Sequence, residues 1–104
     1  MVERQAVADA RRAEEVMGDL WCHVLGRRAG SSEHFIDLGG NSLRAMQLVA
    51  RLQEVFECEM PLTVVFEYPT ISSLLDQVAR LCGGADAMER HATAWYGRSS
   101  TAAS

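Results

Sequence analysis

The sequence predicts an all-α fold, a bundle of four helices with three long and one short. Three stretches, Val16 to Leu25, Ala45 to Phe56 and Ile71 to Leu81, carry apolar residues at spacings of three and four, the period of a helix face. Between the second and third stretches, Pro61 and Pro69 fence off a segment with room for only a short helical turn. The chain has 104 residues, 48% of them hydrophobic, which gives one domain and one core without need of metals or cross-links.

The domain is expected over residues 7–82, between a disordered N-terminus at 1–6 and a flexible C-terminal tail at 83–104. The first helix spans roughly Val7 to Gly26. Val16, Met17, Leu20, Trp21, Val24 and Leu25 form its core stripe, and Gly26 stops it. Trp21 within that stripe reads as a core residue rather than a ligand-stacking ring. From Arg27 to Asn41 runs a long connection rich in Gly, Ser and charge, a length that in a compact domain points to function. Phe35, Ile36 and Leu38 are too apolar for a solvated loop and are expected to pin it to the helices.

The second helix follows from Leu43 to Phe56, with Ala45, Leu48, Val49, Leu52, Val55 and Phe56 facing the core and Leu43 and Met46 falling partly outside that stripe. Pro61 ends the segment after it. Thr63 is expected to cap the short turn Val64-Val65-Phe66, and Thr70 to cap the last helix, which buries Ile71, Leu74, Leu75, Val78 and Leu81. Past Gly83-Gly84 the chain is small and polar. Trp95 and Tyr96 are its large side chains, and the alanine spacing permits at most a short helix over residues 86–95.

The chemistry points to Asp37-Leu38-Gly39-Gly40-Asn41-Ser42-Leu43. A glycine pair lets the chain turn sharply and delivers Ser42 to the amino end of the second helix. Unpaired N–H groups and the positive pole of the helix favour an anion there, including a phosphate esterified to the serine. The competing reading makes Ser42 only a helix cap. Arg44, in the first turn, is either a neighbour of that phosphate or an exposed cation paired with Asp37. A hydrolase using Ser42 and His34 finds no support: there is no Gly-x-Ser-x-Gly elbow and no acid spaced to orient the imidazole, so no catalytic residue is assigned.

Composition narrows the partners. A net charge of −4 argues against nucleic acid and anionic membranes. The basic residues are all arginine, so no lysine is present to form a Schiff base. Cys22, Cys58 and Cys82 fit no zinc spacing, no metal site is assigned, and the cysteines read as small hydrophobes. No signal peptide and no membrane-spanning run is evident, so a cytoplasmic location is the expectation.

The run Phe35-Ile36-Asp37-Leu38-Gly39-Gly40-Asn41-Ser42-Leu43, followed by Pro61-Leu62-Thr63-Val64-Val65-Phe66-Glu67-Tyr68-Pro69-Thr70-Ile71, resembles the peptidyl carrier proteins of nonribosomal peptide synthesis, in the acyl-carrier-protein-like superfamily. The resemblance implies a four-helix carrier bundle whose Ser42 accepts a 4'-phosphopantetheine arm from a phosphopantetheinyl transferase using coenzyme A. It also implies an adenylation enzyme that loads the arm with an amino acid as a thioester, and condensation or tailoring enzymes that act on the tethered group. Leu43, Met46, Val64, Val65 and Phe66 become partner-surface candidates. Asn41, where fatty-acid carriers usually have Asp, and the arginines of the second helix favour the peptidyl branch over the fatty-acid one. An aryl or polyketide acyl carrier, or a helical docking module, are the alternatives. A free-standing carrier is the expectation.

Overall fold

The computed structural model describes residues 11–103 and contains helices α1 (Arg11–Leu25), α2 (Ser42–Phe56), α3 (Val64–Glu67), α4 (Ile71–Cys82) and α5 (Ala85–Ala103). The expected disordered N-terminus and the expected start of the first helix at residues 7–10 lie outside the described residues. No strand occurs among the described residues, in line with the all-α expectation.

Helices α1, α2 and α4 bury most of the face that their apolar spacing marks out, with Val24 of α1 and Leu75 of α4 only half-buried against the core. On α1, Val16, Met17, Leu20, Trp21 and Leu25 are buried, and Gly26 closes the helix at φ 76° with its N–H on the Cys22 carbonyl. All six expected stripe residues of α2 are buried. On α4, Ile71, Leu74 and Val78 are buried. Leu81 is not, because the helix ends one residue later and leaves it at the rim.

The caps follow side-chain chemistry. Thr70 caps α4 in a reciprocal box with Ser73: its hydroxyl accepts from the Ser73 N–H, and the Ser73 hydroxyl accepts from the Thr70 N–H. Thr63 makes no such bond and sits in helical conformation, so the expected cap of the short turn is absent. The turn is instead started by backbone, with the Val64 N–H on the Pro61 carbonyl. At the other end of α2, Glu57 takes the left-handed conformation at φ 53° and donates to the Gln53 carbonyl, so the helix stops four residues before Pro61.

The largest departure from expectation lies at residues 85–103, where the flexible tail anticipated for 83–104 is replaced by α5. Met88 and Ala92, four residues apart, are buried in the core, with Trp95 half-buried one turn further on. Small residues let α5 lie close against α1, α2 and α4, a contact that mean polarity does not reveal. Two further ties hold it. The Glu89 carboxylate accepts the Arg12 and Ala13 backbone N–H groups, both at 3.0 Å, and the Tyr96 hydroxyl donates to Asp19 at 3.1 Å.

Candidate functional site

The connection between α1 and α2 is held at several points before it reaches Ser42. Phe35 is fully buried, and its ring meets Trp21 edge to face, with centroids 5.3 Å apart at 81°. Its N–H donates to the Pro69 carbonyl at 2.8 Å, while the Ser72 N–H donates to Ser31, so the loop is laced to the start of α4. Leu38 is buried beside it. Ile36, expected to help pin the loop, instead faces solvent at 52% exposure, because the turn over residues 35–39 sends only Phe35 and Leu38 inward.

The glycine pair has a different use at each position. Gly39 adopts φ 96°, a left-handed conformation that side chains resist. Gly40 is required by proximity. A Cβ there would lie 2.7 Å from the Phe35 carbonyl oxygen and closer still to the Phe35 ring, while the Gly40 N–H donates to that same oxygen at 2.9 Å.

From Gly40 the chain enters Asn41, which is the N-cap of α2. Its backbone is extended, and its Oδ1 accepts the Arg44 N–H at 2.9 Å. The reading of Ser42 as only a helix cap is therefore corrected: Asn41 fills that post, and Ser42 is the first residue of the helix. Ser42 is exposed, and among the described residues its hydroxyl has no hydrogen-bond partner. A free hydroxyl at the positive end of a 15-residue helix, reachable from solvent, is chemically fit to carry a phosphodiester.

Arg44 is half-buried. Its Nη1 donates to the carbonyls of Gly39, at 3.3 Å, and of Leu25, at 3.5 Å. Leu25 is the last residue of α1, so the cation lies at that helix's negative pole, which offsets its unfavourable place in the first turn of α2. The alternative ion pair with Asp37 is not formed. His34 is exposed, and no hydrogen bond among the described residues joins it to Ser42.

The expected partner residues divide sharply. Leu43, Met46 and Phe66 are exposed by 62%, 50% and 44%. Val64 and Val65 are buried, at 1% and 0%, and cannot form a surface; α3 turns them into the core and leaves Phe66 outside. The sequence reading did not single out Leu62, which is 54% exposed just before α3, although its place between Pro61 and Thr63 offers it no helix face to hide on. Cys22, Cys58 and Cys82 are free and half-buried, and no group of residues that could hold a metal ion occurs among the described residues.

Comparison with known proteins agrees with this geometry. A family profile described as the phosphopantetheine attachment site matches residues 15–78. Gramicidin S synthase 2 of Brevibacillus brevis is 40% identical over 74 residues, covering 70% of this chain and 2% of that protein. The chain spans about 2% of the length of the first curated relatives it matches. Among solved structures, BlmI, a type-II acyl carrier protein from Streptomyces verticillus involved in bleomycin biosynthesis, is 32% identical with a TM-score of 0.69, over 72% of this chain and 92% of that one. A peptidyl carrier protein in complex with the phosphopantetheine transferase Sfp and coenzyme A is 35% identical with a TM-score of 0.62, over 65% of this chain and 90% of that one. The chain thus belongs to the phosphopantetheine attachment-site family, with peptidyl carrier proteins among its structural neighbours.

Proposed function

We propose that the chain is a peptidyl carrier of nonribosomal peptide or hybrid peptide-polyketide biosynthesis, with Ser42 as the residue that holds the 4'-phosphopantetheine. The observation that carries this reading is the separation of duties at the start of α2: Asn41 caps the helix, and the Ser42 hydroxyl is left exposed and unbonded among the described residues. The residues present fit the group, since the amino end of α2 would favour the charge of a phosphodiester on Ser42 while Asn41 keeps the cap. When bound, the arm supplies a thiol that accepts an aminoacyl or peptidyl group. The chain itself contributes position, raising the effective concentration of a tethered group for successive enzymes, and has no catalytic step of its own.

The partners that follow are a phosphopantetheinyl transferase using coenzyme A, an adenylation enzyme, and condensation or tailoring enzymes. The exposed apolar side chains of Leu43 and Met46, about a turn or less from Ser42 on α2, and of Phe66 on α3 support their docking. Arg44 is assigned to clamping the loop, the role its two carbonyl contacts support, in place of the phosphate-neighbouring role drawn from sequence. A cytoplasmic setting accords with three free cysteines, and no described helix is long and apolar enough to cross a membrane.

Intact-mass measurement after incubation with a phosphopantetheinyl transferase and coenzyme A tests the assignment. The unaltered chain gains one arm and Ser42→Ala gains none; uptake by Ser42→Ala overturns it. Loading the modified chain with adenylating enzymes and amino, aryl or polyketide acyl donors then separates the peptidyl reading from the other acyl carriers.

A further inference from the structure

Two free cysteines meet at the end of α2 remote from Ser42, about 20 Å away along the helix axis. Cys58 lies in the irregular backbone just after Glu57, and Cys82 is the last residue of α4. Their Sγ atoms are 3.4 Å apart, and Cys82 Sγ also faces the Phe56 carbonyl oxygen at 3.7 Å. A disulfide needs about 2.05 Å between sulfurs, so roughly 1.4 Å remains to be closed. The backbone on both sides can yield that distance: Cys82 is followed by Gly83 and Gly84, both at positive φ, and Cys58 belongs to no helix.

We propose that Cys58 and Cys82 are a reversible redox modification site, closing to a disulfide that ties the carboxyl end of α2 to that of α4. With a small disulfide as oxidant, the Cys58 thiolate attacks one oxidant sulfur, forms a mixed disulfide and expels one thiolate. The Cys82 thiolate then attacks Cys58 Sγ, closes the bridge and expels the second thiolate. The protons lost by the two cysteines end on the two expelled thiols, and the two electrons lost by the pair reduce the oxidant.

The order of attack follows from the surroundings. Burial, and after it the hydrogen bond and charge of Cys58, push the Cys82 thiol up to about 12, so the first attack falls to Cys58. Once Cys58 is in the mixed disulfide, its hydrogen bond and charge no longer raise the Cys82 thiol, and Cys82 Sγ already lies beside the sulfur it attacks, 3.4 Å away before reaction. The closed loop, residues 58–82, contains α3 with Phe66 and the Thr70 cap, so the bridge restrains the segment that carries them. Cys22, on α1, takes no part.

Oxidised glutathione is the probe, applied to the full chain carrying Ser42→Ala so that no arm thiol is counted. On treatment, denaturation and alkylation, the alkylatable thiols fall from three to one, the chain loses the mass of two hydrogen atoms, and peptide mapping joins Cys58 to Cys82. Dithiothreitol restores all three. Adding Cys22→Ser leaves the mass loss in place, whereas adding Cys58→Ser abolishes it. Three thiols still alkylated, a glutathione adduct that stays on Cys58, or bridges that include Cys22 or a second chain would each overturn the proposal.

Discussion

Gly40 and Phe35 are fitted to each other so closely that the phenyl ring and carbonyl of Phe35 occupy the space a Cβ at Gly40 would need. Phe35 in turn rests on Trp21 in the centre of the core. The position of Ser42 is therefore tied to the core through two contacts, and Gly40→Ala acts on both stability and presentation. Relief requires the loop to move off the ring or the ring to leave Trp21, at a cost of about 1–3 kcal/mol. Urea denaturation gives the first effect. Slower phosphopantetheine transfer at a temperature where the variant remains folded gives the second.

Asn41 carries the cap, and its effect separates from that of Ser42. Asn41→Ala removes the acceptor of the Arg44 N–H and lowers stability by about 1 kcal/mol, whereas Asn41→Asp keeps the cap. Ser42→Ala changes stability by no more than about 0.5 kcal/mol, since its exposed hydroxyl makes no bond among the described residues. Equal losses for Asn41→Ala and Ser42→Ala in urea titrations would return the cap to Ser42.

Neighbouring residues on α3 have opposite roles. Val65→Ala removes buried methyl groups at a fully enclosed site and costs roughly 2 kcal/mol. Phe66→Ala, like Met46→Ala, removes an exposed side chain and shifts stability by less than about 0.5 kcal/mol. The expected signature of a docking face is a lower kcat/KM for partner enzymes with Phe66→Ala or Met46→Ala at unchanged folding midpoint.

The three long stripes and the place of Ser42 at the start of α2 were legible in the sequence because burial on one face of a helix writes a direct periodic signal, and because a glycine pair marks a sharp turn into the helix. What escaped was set by contacts distant in sequence. Val64, Val65 and Phe66 form an unbroken apolar run, and only the orientation of a four-residue helix decides which of them turn outward. Ile36 belongs to a turn with no period to read. Helix α5 buries alanine and methionine in place of larger residues, and its anchoring carboxylate, Glu89, meets its partners 76 and 77 positions away.

Tyr96 gives a pH signature for the packing of α5 on α1. Burial, then the hydrogen bond and charge of Asp19 and the charge of Glu15, raise its phenol from 10.0 to about 12, against a smaller lowering by Arg12, whose guanidinium carbon lies 5.3 Å from the ring centroid. The folded state thus holds the proton more tightly than the unfolded chain. Its stabilising contribution is complete below pH 10 and is lost as pH rises towards 12. Tyr96→Phe leaves Tyr68 as the remaining tyrosine, so the difference between the two phenolate absorbance titrations isolates Tyr96. A difference curve centred near pH 10 would mean that the hydroxyl does not face Asp19.

Glu89 tests whether α5 is an integral helix or an appendage. Its two carboxylate oxygens accept the backbone N–H groups of Arg12 and Ala13, both in the first described turn of α1. A carboxylate at that pole gains from the helix dipole as well as from the two bonds. Because one contact is exposed and the other half-buried, Glu89→Ala is expected to cost about 1–2 kcal/mol, and Glu89→Gln, which keeps an oxygen acceptor but loses the charge, about half as much. The Ser42 end of α2 depends on Trp21, Phe35 and Asn41 and makes no use of Glu89. Under conditions where Glu89→Ala is fully folded, phosphopantetheine uptake should therefore match that of the unaltered chain while the urea midpoint is lower. An unchanged midpoint would mean that the two bonds from Arg12 and Ala13 to Glu89 contribute nothing to the fold. A lowered midpoint accompanied by slower uptake in the folded protein would mean instead that α5 helps to position the site.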